Sequence, residues 1–239
     1  LITIFLIECD SQKGTIVFTF DDDNVEDWHN SRDLFNQYKI RATFFITRPH
    51  KLDSLQIAML HALQKDGHEI GCHTLTHKNA VRYCDTSSIE NYIQKEVITA
   101  NRILTQNGFE LTSFAYPNGQ STPEMDSALL HYFKILRKAT YNIEDTTIDC
   151  IDRTYSDGSS GIIDAMGIDV AYKITTENFE TGLKRISQSG EALIVHAHEI
   201  DDSAGNFSLS RDYLEQVFKL CETYHVRSIT CAELSKKNK

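Results

Sequence analysis

Four short stretches of the chain carry residues able to do chemistry. They are Thr19-Phe20-Asp21-Asp22-Asp23, His73-Thr74-Leu75-Thr76-His77, Phe114-Ala115-Tyr116-Pro117-Asn118-Gly119 and His196-Ala197-His198-Glu199-Ile200. Two histidines four residues apart are a common way to hold a divalent cation. The familiar helical version places a glutamate immediately after the first histidine as proton acceptor, and here that position is Thr74. The acceptor must therefore come from elsewhere. Consecutive carboxylates repel, and packing them away from water is costly unless a cation or hydrogen-bond donors compensate. Two imidazoles and one carboxylate form a facial ligand set that leaves positions open for water and substrate. Only one of Asp21, Asp22 and Asp23 need bind. Neighbouring side chains on extended backbone point in different directions, so a second aspartate can stay unligated and take a proton from water. The chemistry implied is metal-assisted hydrolysis. Each stretch alone also has an ordinary reading: an aspartate-rich turn, a chance histidine pair, or a core histidine at His196.

The elements that must position these residues follow from hydrophobic periodicity. Residues 15–20 and 42–46 read as buried strands, with a helical stripe of Leu34, Phe35 and Tyr38 between them. Apolar positions 58, 59, 62 and 63 after Leu55 mark a helix ending near Gly67, and residues 68–72 then form a strand leading into the histidine pair. Ile89, Tyr92, Ile93, Val97 and Leu104 predict a helix closed by Gly108, followed by a strand over 111–116. Pro123, preceded by Ser121 and Thr122, predicts a helix start. Residues 134–137 predict a strand, and 140–167 are polar and turn-rich. Phe179, Leu183 and Ile186 predict a helix before the strand at 192–195; Tyr213, Leu214, Val217 and Cys221 predict another before 226–229. Seven or eight strand–helix alternations with continuous apolar strands mean an α/β fold, and a closed or nearly closed barrel suits the count. In such a barrel the residues just after each strand meet around one mouth, which is where all four polar stretches lie. Neither a dinucleotide-binding glycine fingerprint nor a phosphate-binding loop occurs.

The chain-wide numbers narrow the class. The 239 residues are 41% hydrophobic and 24% charged, consistent with one globular domain, 1–239, with a core over about 15–234. Lys and Arg total 24 against 34 Asp and Glu, a formal charge of −10, which argues against sustained contact with a nucleic acid backbone. Cysteines 9, 72, 84, 150, 221 and 231 are far apart and form no C-x-x-C pair. Residues 1–14 open on a short apolar run that reads as an extra strand or the trimmed end of a signal region, and no segment is long and apolar enough to span a bilayer. Asn206-Phe207-Ser208 is the single N-glycosylation match.

From residue 15 to 234 the chain resembles the polysaccharide deacetylases of the NodB-homology type, carbohydrate esterase family 4. Thr19-Phe20-Asp21-Asp22 is similar to that family's first motif and His73-Thr74-Leu75-Thr76-His77 to its second. Phe114 to Gly119 resembles a branch with an F-A-Y-P-x-G third motif that includes deacetylases of exported bacterial polysaccharides; Ala115 stands where other branches carry an arginine. The resemblance implies a distorted (β/α)7 barrel and one divalent metal, zinc first, with cobalt, nickel or manganese as alternatives, held by Asp22, His73 and His77. It implies Asp21 as catalytic base and His198 as catalytic acid, with His196 the competing choice. Arg137, at the end of the next predicted strand, is the candidate to orient the base in place of the missing arginine. Tyr116, Pro117 and Asn118 are expected at the substrate and oxyanion position. The family's Asp-Trp motif has no clear match: Trp28 is the only tryptophan, and Asp149 or Asp152 is expected to supply the carboxylate that tunes the acid.

The activity so implied is hydrolysis of N-acetyl groups on hexosamine units of a poly- or oligosaccharide, outside the cytoplasm. The same residues would serve an O-acyl esterase of glycans. A glycan-binding protein that has lost catalysis is the non-enzymatic alternative, favoured by Ala115 and the missing Asp-Trp pair. The His-x-His at 196–198 is also similar to the pair of amidohydrolase barrels, but there it belongs to the first strand.

Overall fold

The computed structural model describes residues 14–140, 147–202 and 205–236. Seven parallel strands form a closed barrel: β1 (Thr15–Asp22), β2 (Ala42–Ile46), β3 (Glu69–Cys72), β4 (Ser113–Ala115), β5 (Ile135–Thr140), β7 (Ile162–Gly167) and β8 (Ala192–Ala197). Closure comes from β1 pairing in parallel with β8 over Thr15–Phe20. The cylinder is irregular, since β3 and β4 share only the Cys72–Phe114 pair and β7 and β8 only two pairs. The two-residue β6 (Tyr155–Ser156) runs antiparallel to the start of β8, β9 (Glu199–Ile200) pairs with β10 (Ser208–Leu209), and β11 (Arg227–Ser228) flanks the start of β1. The fold is α/β, as the alternation of apolar runs and amphipathic segments predicts.

Both faces of every strand are buried, so composition does not reveal which side chains point inward; the two-residue period does. Ile16, Phe18 and Phe20 of β1 face the outer helices, as do Leu193 and Val195 of β8, in one large cluster with Phe35, Phe179 and Phe218. Val17, Phe45, Ala115, Ile135, Ile163, Ala165 and Ile194 fill the interior. Continuing the same parity toward the C-terminal mouth puts Asp21, His73, Arg137 and His196 on the inner face. Gly71 is required on this face: a Cβ there would lie 2.5 Å from the Phe45 ring, which itself lies under the Arg137 guanidinium at 5.3 Å.

At the opposite mouth the short helix Cys231–Leu234 plugs the barrel. Buried Glu69 accepts hydrogen bonds from Ser113 Oγ (2.6 Å), Thr43 Oγ1 (3.0 Å) and the Ala232 amide (2.7 Å), joining three strand starts to that helix. The outer helices begin on side-chain caps at the expected places. Asp53 and Gln56 form a capping box for Ser54–Lys65, and Thr122 caps Pro123–Leu129.

The stripe of Leu34, Phe35 and Tyr38 forms the short helix Arg32–Gln37 with Tyr38 at its C-cap, and a second short helix, Val25–Asn30, precedes it. Other expectations are corrected. The run at 226–229 gives only the two-residue β11, outside the closed barrel. The poorly patterned stretch 140–167 contains a full barrel strand, β7, and the strand predicted at 134–137 runs on to Thr140. Apart from Gly14, the expected extra strand or leader over 1–14 lies outside the described residues, as does Cys9; the other five cysteines are free thiols.

Glu69→Ala removes the acceptor of three buried donors. It is expected to lower folding stability by about 3 kcal/mol, read as a shift in the chemical-denaturation midpoint without change in slope.

Candidate active site

β1 and β3 flank β2, and the segments at their C-terminal ends converge over it, which brings Asp22, His73 and His77 together: one ligand atom from each lies within 4.8 Å of the others. His77 Nε2 is 3.3 Å and His73 Nε2 3.9 Å from Asp22 Oδ1, and that oxygen is buried with no hydrogen-bond partner. His73 Nδ1 lies 2.8 Å from the carbonyl of Ala115. A carbonyl only accepts, so Nδ1 carries the proton and Nε2 turns its lone pair to the shared centre. Burial outweighs the attraction of Asp21 and Asp22 and lowers the His73 pKa to about 4, leaving the neutral imidazole that a cation needs. Two neutral-capable imidazoles and one orphaned carboxylate oxygen fit a divalent ion.

The backbone here is unusual. Asp22 (φ +88°), Thr74 (φ +72°) and His77 (φ +60°) occupy the left-handed region, each at a cost of order 1–3 kcal/mol. Strict alternation would turn Asp22 away from the barrel interior; its positive φ swings the carboxylate back over the mouth. Asp23, the third of the run, turns instead to Arg48 at 3.1 Å. Hydrogen bonds hold the His73–His77 loop in its strained form. Thr74 Oγ1 accepts from the His77 amide (3.0 Å), and Thr47 Oγ1 donates to the Thr74 carbonyl (3.3 Å). The Glu96 carboxylate accepts from the amide (2.8 Å) and hydroxyl (2.6 Å) of Thr76, while its own carbonyl accepts from Leu75 N (2.8 Å). Glu96 lies in a π-helical segment, Ile93–Ile98, of the kind that recurs near functional sites. Sequence reasoning missed this residue, because an acid inside an amphipathic helix gives no signal.

Asp21 lies deeper, and Arg137 donates to its Oδ2 in a buried ion pair. Ala115 and Arg137 are register partners on β4 and β5, so the guanidinium arrives from the neighbouring strand at the level where the small Ala115 leaves room. Burial alone would raise the Asp21 pKa, but Arg137, then His73, His198 and His196, hold it well below the usual carboxylate range. Its other oxygen, Oδ1, is buried and unpartnered.

Across the mouth, His198 follows β8. Its Nδ1 is 2.7 Å from Asp169 Oδ2, its amide donates to Asp169 Oδ1 (3.1 Å), and its carbonyl accepts from the Trp28 indole (2.7 Å). Burial would depress this imidazole, but Asp169, with Asp21 and Asp22, more than offsets it and raises its pKa. The carboxylate beside His198 is therefore Asp169, and the expectation of Asp149 or Asp152 is corrected. Those two lie near the start of β8, a strand's length from the mouth. There Arg185 donates to Asp152 Oδ1 and to the Asp149 carbonyl, each at 2.8 Å. Asp169 had a sequence signal, an acid just after the apolar residues 165–168, in the stretch whose strand went unread.

The third stretch also departs from expectation. The Tyr116 amide donates to the Arg137 carbonyl (3.1 Å) as part of the sheet, and its ring packs against Phe114 in the core. Pro117 has no N–H. Neither can bind an oxyanion, which leaves Asn118, exposed at the rim with φ +56°. His196 is brought to the same mouth, with a ring nitrogen within 4.8 Å of Asp21 and His198 ligand atoms. Burial, with Arg137 next, pushes its pKa well below the ordinary histidine value.

A sequence profile described as polysaccharide deacetylase matches residues 9–133, more than half of the chain. The chain belongs to the polysaccharide deacetylase family. Among solved structures it is similar to the chitin deacetylase of Colletotrichum lindemuthianum (TM-score 0.61, 16% identity, covering 94% of this chain and 88% of that one). It is also similar to the peptidoglycan deacetylase PdaC of Bacillus subtilis (TM-score 0.56, 17%, 94% and 91%). A third is a family 4 acetyl xylan esterase from Clostridium thermocellum solved with a cobalt ion (TM-score 0.56, 16%, 93% and 91%). These likenesses establish the barrel as that of the carbohydrate deacetylases and esterases. A search of curated protein sequences returns no significant match.

His77→Ala removes one of three ligand atoms while leaving the barrel intact. Divalent-metal affinity is expected to fall by more than about 100-fold, measured as metal retained after dialysis against a graded chelator, with an unchanged circular dichroism spectrum.

Proposed function

We propose that this chain is a metal-dependent hydrolase that removes the N-acetyl group from hexosamine units of a poly- or oligosaccharide. The observation that carries the proposal is the pairing of opposite ionisation states across one mouth: Asp21 kept charged by Arg137, and His198 kept protonatable by Asp169, on either side of the Asp22–His73–His77 set. A bound divalent ion, zinc first, would supply Lewis acidity, polarising the acyl oxygen and easing deprotonation of water.

The chain's own groups supply the proton traffic. Asp21 takes the proton of the attacking water, with Arg137 fixing the orientation of its carboxylate and keeping it ionised in a buried place. His198, protonated and held by Asp169, donates from Nε2 to the leaving nitrogen, because an amide departs poorly as an anion. Asn118 is the member of the third stretch whose amide would meet the developing oxyanion. The dedicated Asp169–His198 pair favours an amide over an ester, since an ester leaving group needs acid assistance less. The presence of Arg137 in the position of the missing arginine speaks for catalysis over simple glycan binding. A substrate of this class is a cell-surface or exported glycan, so the proposed place of action is outside the cytoplasm. No described helix is long and apolar enough to cross a membrane.

The test is acetate release from chitooligosaccharides, peptidoglycan fragments, poly-N-acetylglucosamine and O-acetylated xylan, before chelation, after it, and after metal add-back. Asp21→Asn is expected to keep its metal and lose about 10²–10⁴-fold in kcat/KM; near-normal turnover by this variant on the true substrate removes the assignment. Faster release from the O-acetyl substrates selects the esterase reading instead.

The pH profile gives a second check. His198 must be protonated, so activity falls as pH rises through its raised pKa. Asp21 must be ionised, and its lowered pKa keeps it so well below the ordinary carboxylate range; the acidic loss therefore comes first from protonation of His73, whose pKa is about 4. Asp169→Asn removes the largest influence opposing burial at His198. Its alkaline limb is expected to move to lower pH while the acidic limb stays.

A further inference from the structure

His196 has no part in the proton transfers above, yet it is among the most secluded polar rings of the mouth. It is 2% exposed, and neither ring nitrogen has a hydrogen-bond partner. One nitrogen lies within 4.8 Å of a carboxylate oxygen of Asp21 and of a ring nitrogen of His198, beyond hydrogen-bond reach of either. The ring is set rather than loose. It stands edge-on to Tyr172 (5.5 Å) and to His198 (5.6 Å). Tyr172 in turn covers Gly167, the register partner of His196, where a Cβ would lie 2.2 Å from the tyrosine ring.

The place of His196 in the reaction follows from depth. The leaving nitrogen must be near His198, whose side chain is 18% exposed and faces the rim through which a sugar enters. The acyl tail is the remaining substituent of the carbonyl carbon, and His196, the more deeply buried neighbour of both His198 and Asp21, is the polar group it would meet inward. A surface meant for a bare methyl group is best made of carbon, since burying two ring nitrogens without partners is costly. A neutral imidazole offers one N–H donor and one acceptor, which a hydroxyl can match in both senses.

We propose that His196 is the floor of the acyl subsite and selects N-acyl groups bearing a hydrogen-bonding substituent on the α-carbon, the hydroxyacetyl (glycolyl) class, over plain acetyl. This rests on the hydrolase reading above. In the step itself, water adds to the carbonyl carbon with loss of its proton to Asp21. The carbon–nitrogen bond then breaks as His198 protonates the nitrogen, yielding glycolate and a free amino sugar. The hydroxyl takes no part except to bind.

The experiment compares glycolate and acetate release by the metal-loaded chain from matched N-glycolyl and N-acetyl chitooligosaccharides. For the unaltered chain, kcat/KM is expected to be about tenfold or more higher for the glycolyl series. His196→Leu is expected to lower the glycolyl-to-acetyl ratio of kcat/KM by at least that factor, whatever its effect on the overall rate, with His196→Gln between the two. A wild-type ratio of one or less, or a ratio that His196→Leu leaves unchanged, overturns the proposal. So does a metal content of two per chain that falls to one in His196→Leu, which would make the ring a ligand. Because the wild-type ratio decides independently, a poorly folded variant does not shelter the proposal. Release of neither acid from any substrate by folded, metal-loaded protein overturns the hydrolase reading itself.

Discussion

The chemistry of this barrel depends on the buried contact between Arg137 and Asp21. A carboxylate with 4% exposure would, left alone, take up a proton and become useless as a base, because the low-dielectric interior penalises its charge. Arg137, itself 1% exposed, prevents this. Neither charge would be tolerable without the other, and breaking such a pair from one side is strongly destabilising. Their meeting requires β1 and β5 to face each other across a small barrel. It also requires Ala115 to be small enough for the guanidinium of the next strand to pass, and Gly71 to admit the Phe45 ring beneath it.

The groups around that pair show how a site is held before substrate arrives. Left-handed backbone at Asp22, Thr74 and His77 is unfavourable in isolation and persists because the Thr47, Thr74 and Glu96 contacts leave the loop little alternative. The carbonyl of Ala115 fixes the tautomer of His73, so one strand end serves two functions. Opposite, Asp169 binds both the ring and the amide of His198 while Trp28 holds its carbonyl, which fixes the ring's direction as well as its ionisation. Orientation by such outer partners decides whether a ligand set or acid–base pair is geometrically ready.

The two titrating groups are pushed apart. Asp21 is depressed, mainly through Arg137 acting against burial, and His198 is raised, through Asp169 acting against burial. Between those two values the Asp21 carboxylate is bare and the His198 imidazole is protonated at the same time, the combination that the proposed hydrolysis would use. His196, two residues before His198, meets the opposite fate: burial, with Arg137 next and no carboxylate bonded to it, pushes its pKa well below the ordinary histidine value. Two histidines at one strand end thus differ because of what each faces, not because of what it is.

Much was legible in the sequence. Strand-end acids and histidines in TFDDD, HTLTH and HAHEI, together with alternating apolar and amphipathic segments, were enough to indicate an α/β barrel and to nominate the Asp21–Asp23 run and the two histidine pairs; the separate roles of Asp21, Asp22, His73, His77 and His198 came from the family resemblance. Local patterns carry that information, since chain neighbours at strand ends must share one mouth. What tertiary structure alone decided was which side chains from distant segments meet. Asp169, and not Asp149 or Asp152, reaches His198; Glu96 holds the His73–His77 loop; the Tyr116 amide is consumed by the sheet. Arg137 was nominated only by its place in the strand order, and its contact with Asp21 depends on a β4–β5 register that no stretch of sequence encodes by itself. Pairings across 20 to 116 residues are fixed by register and packing, and those are properties of the closed barrel rather than of any segment within it.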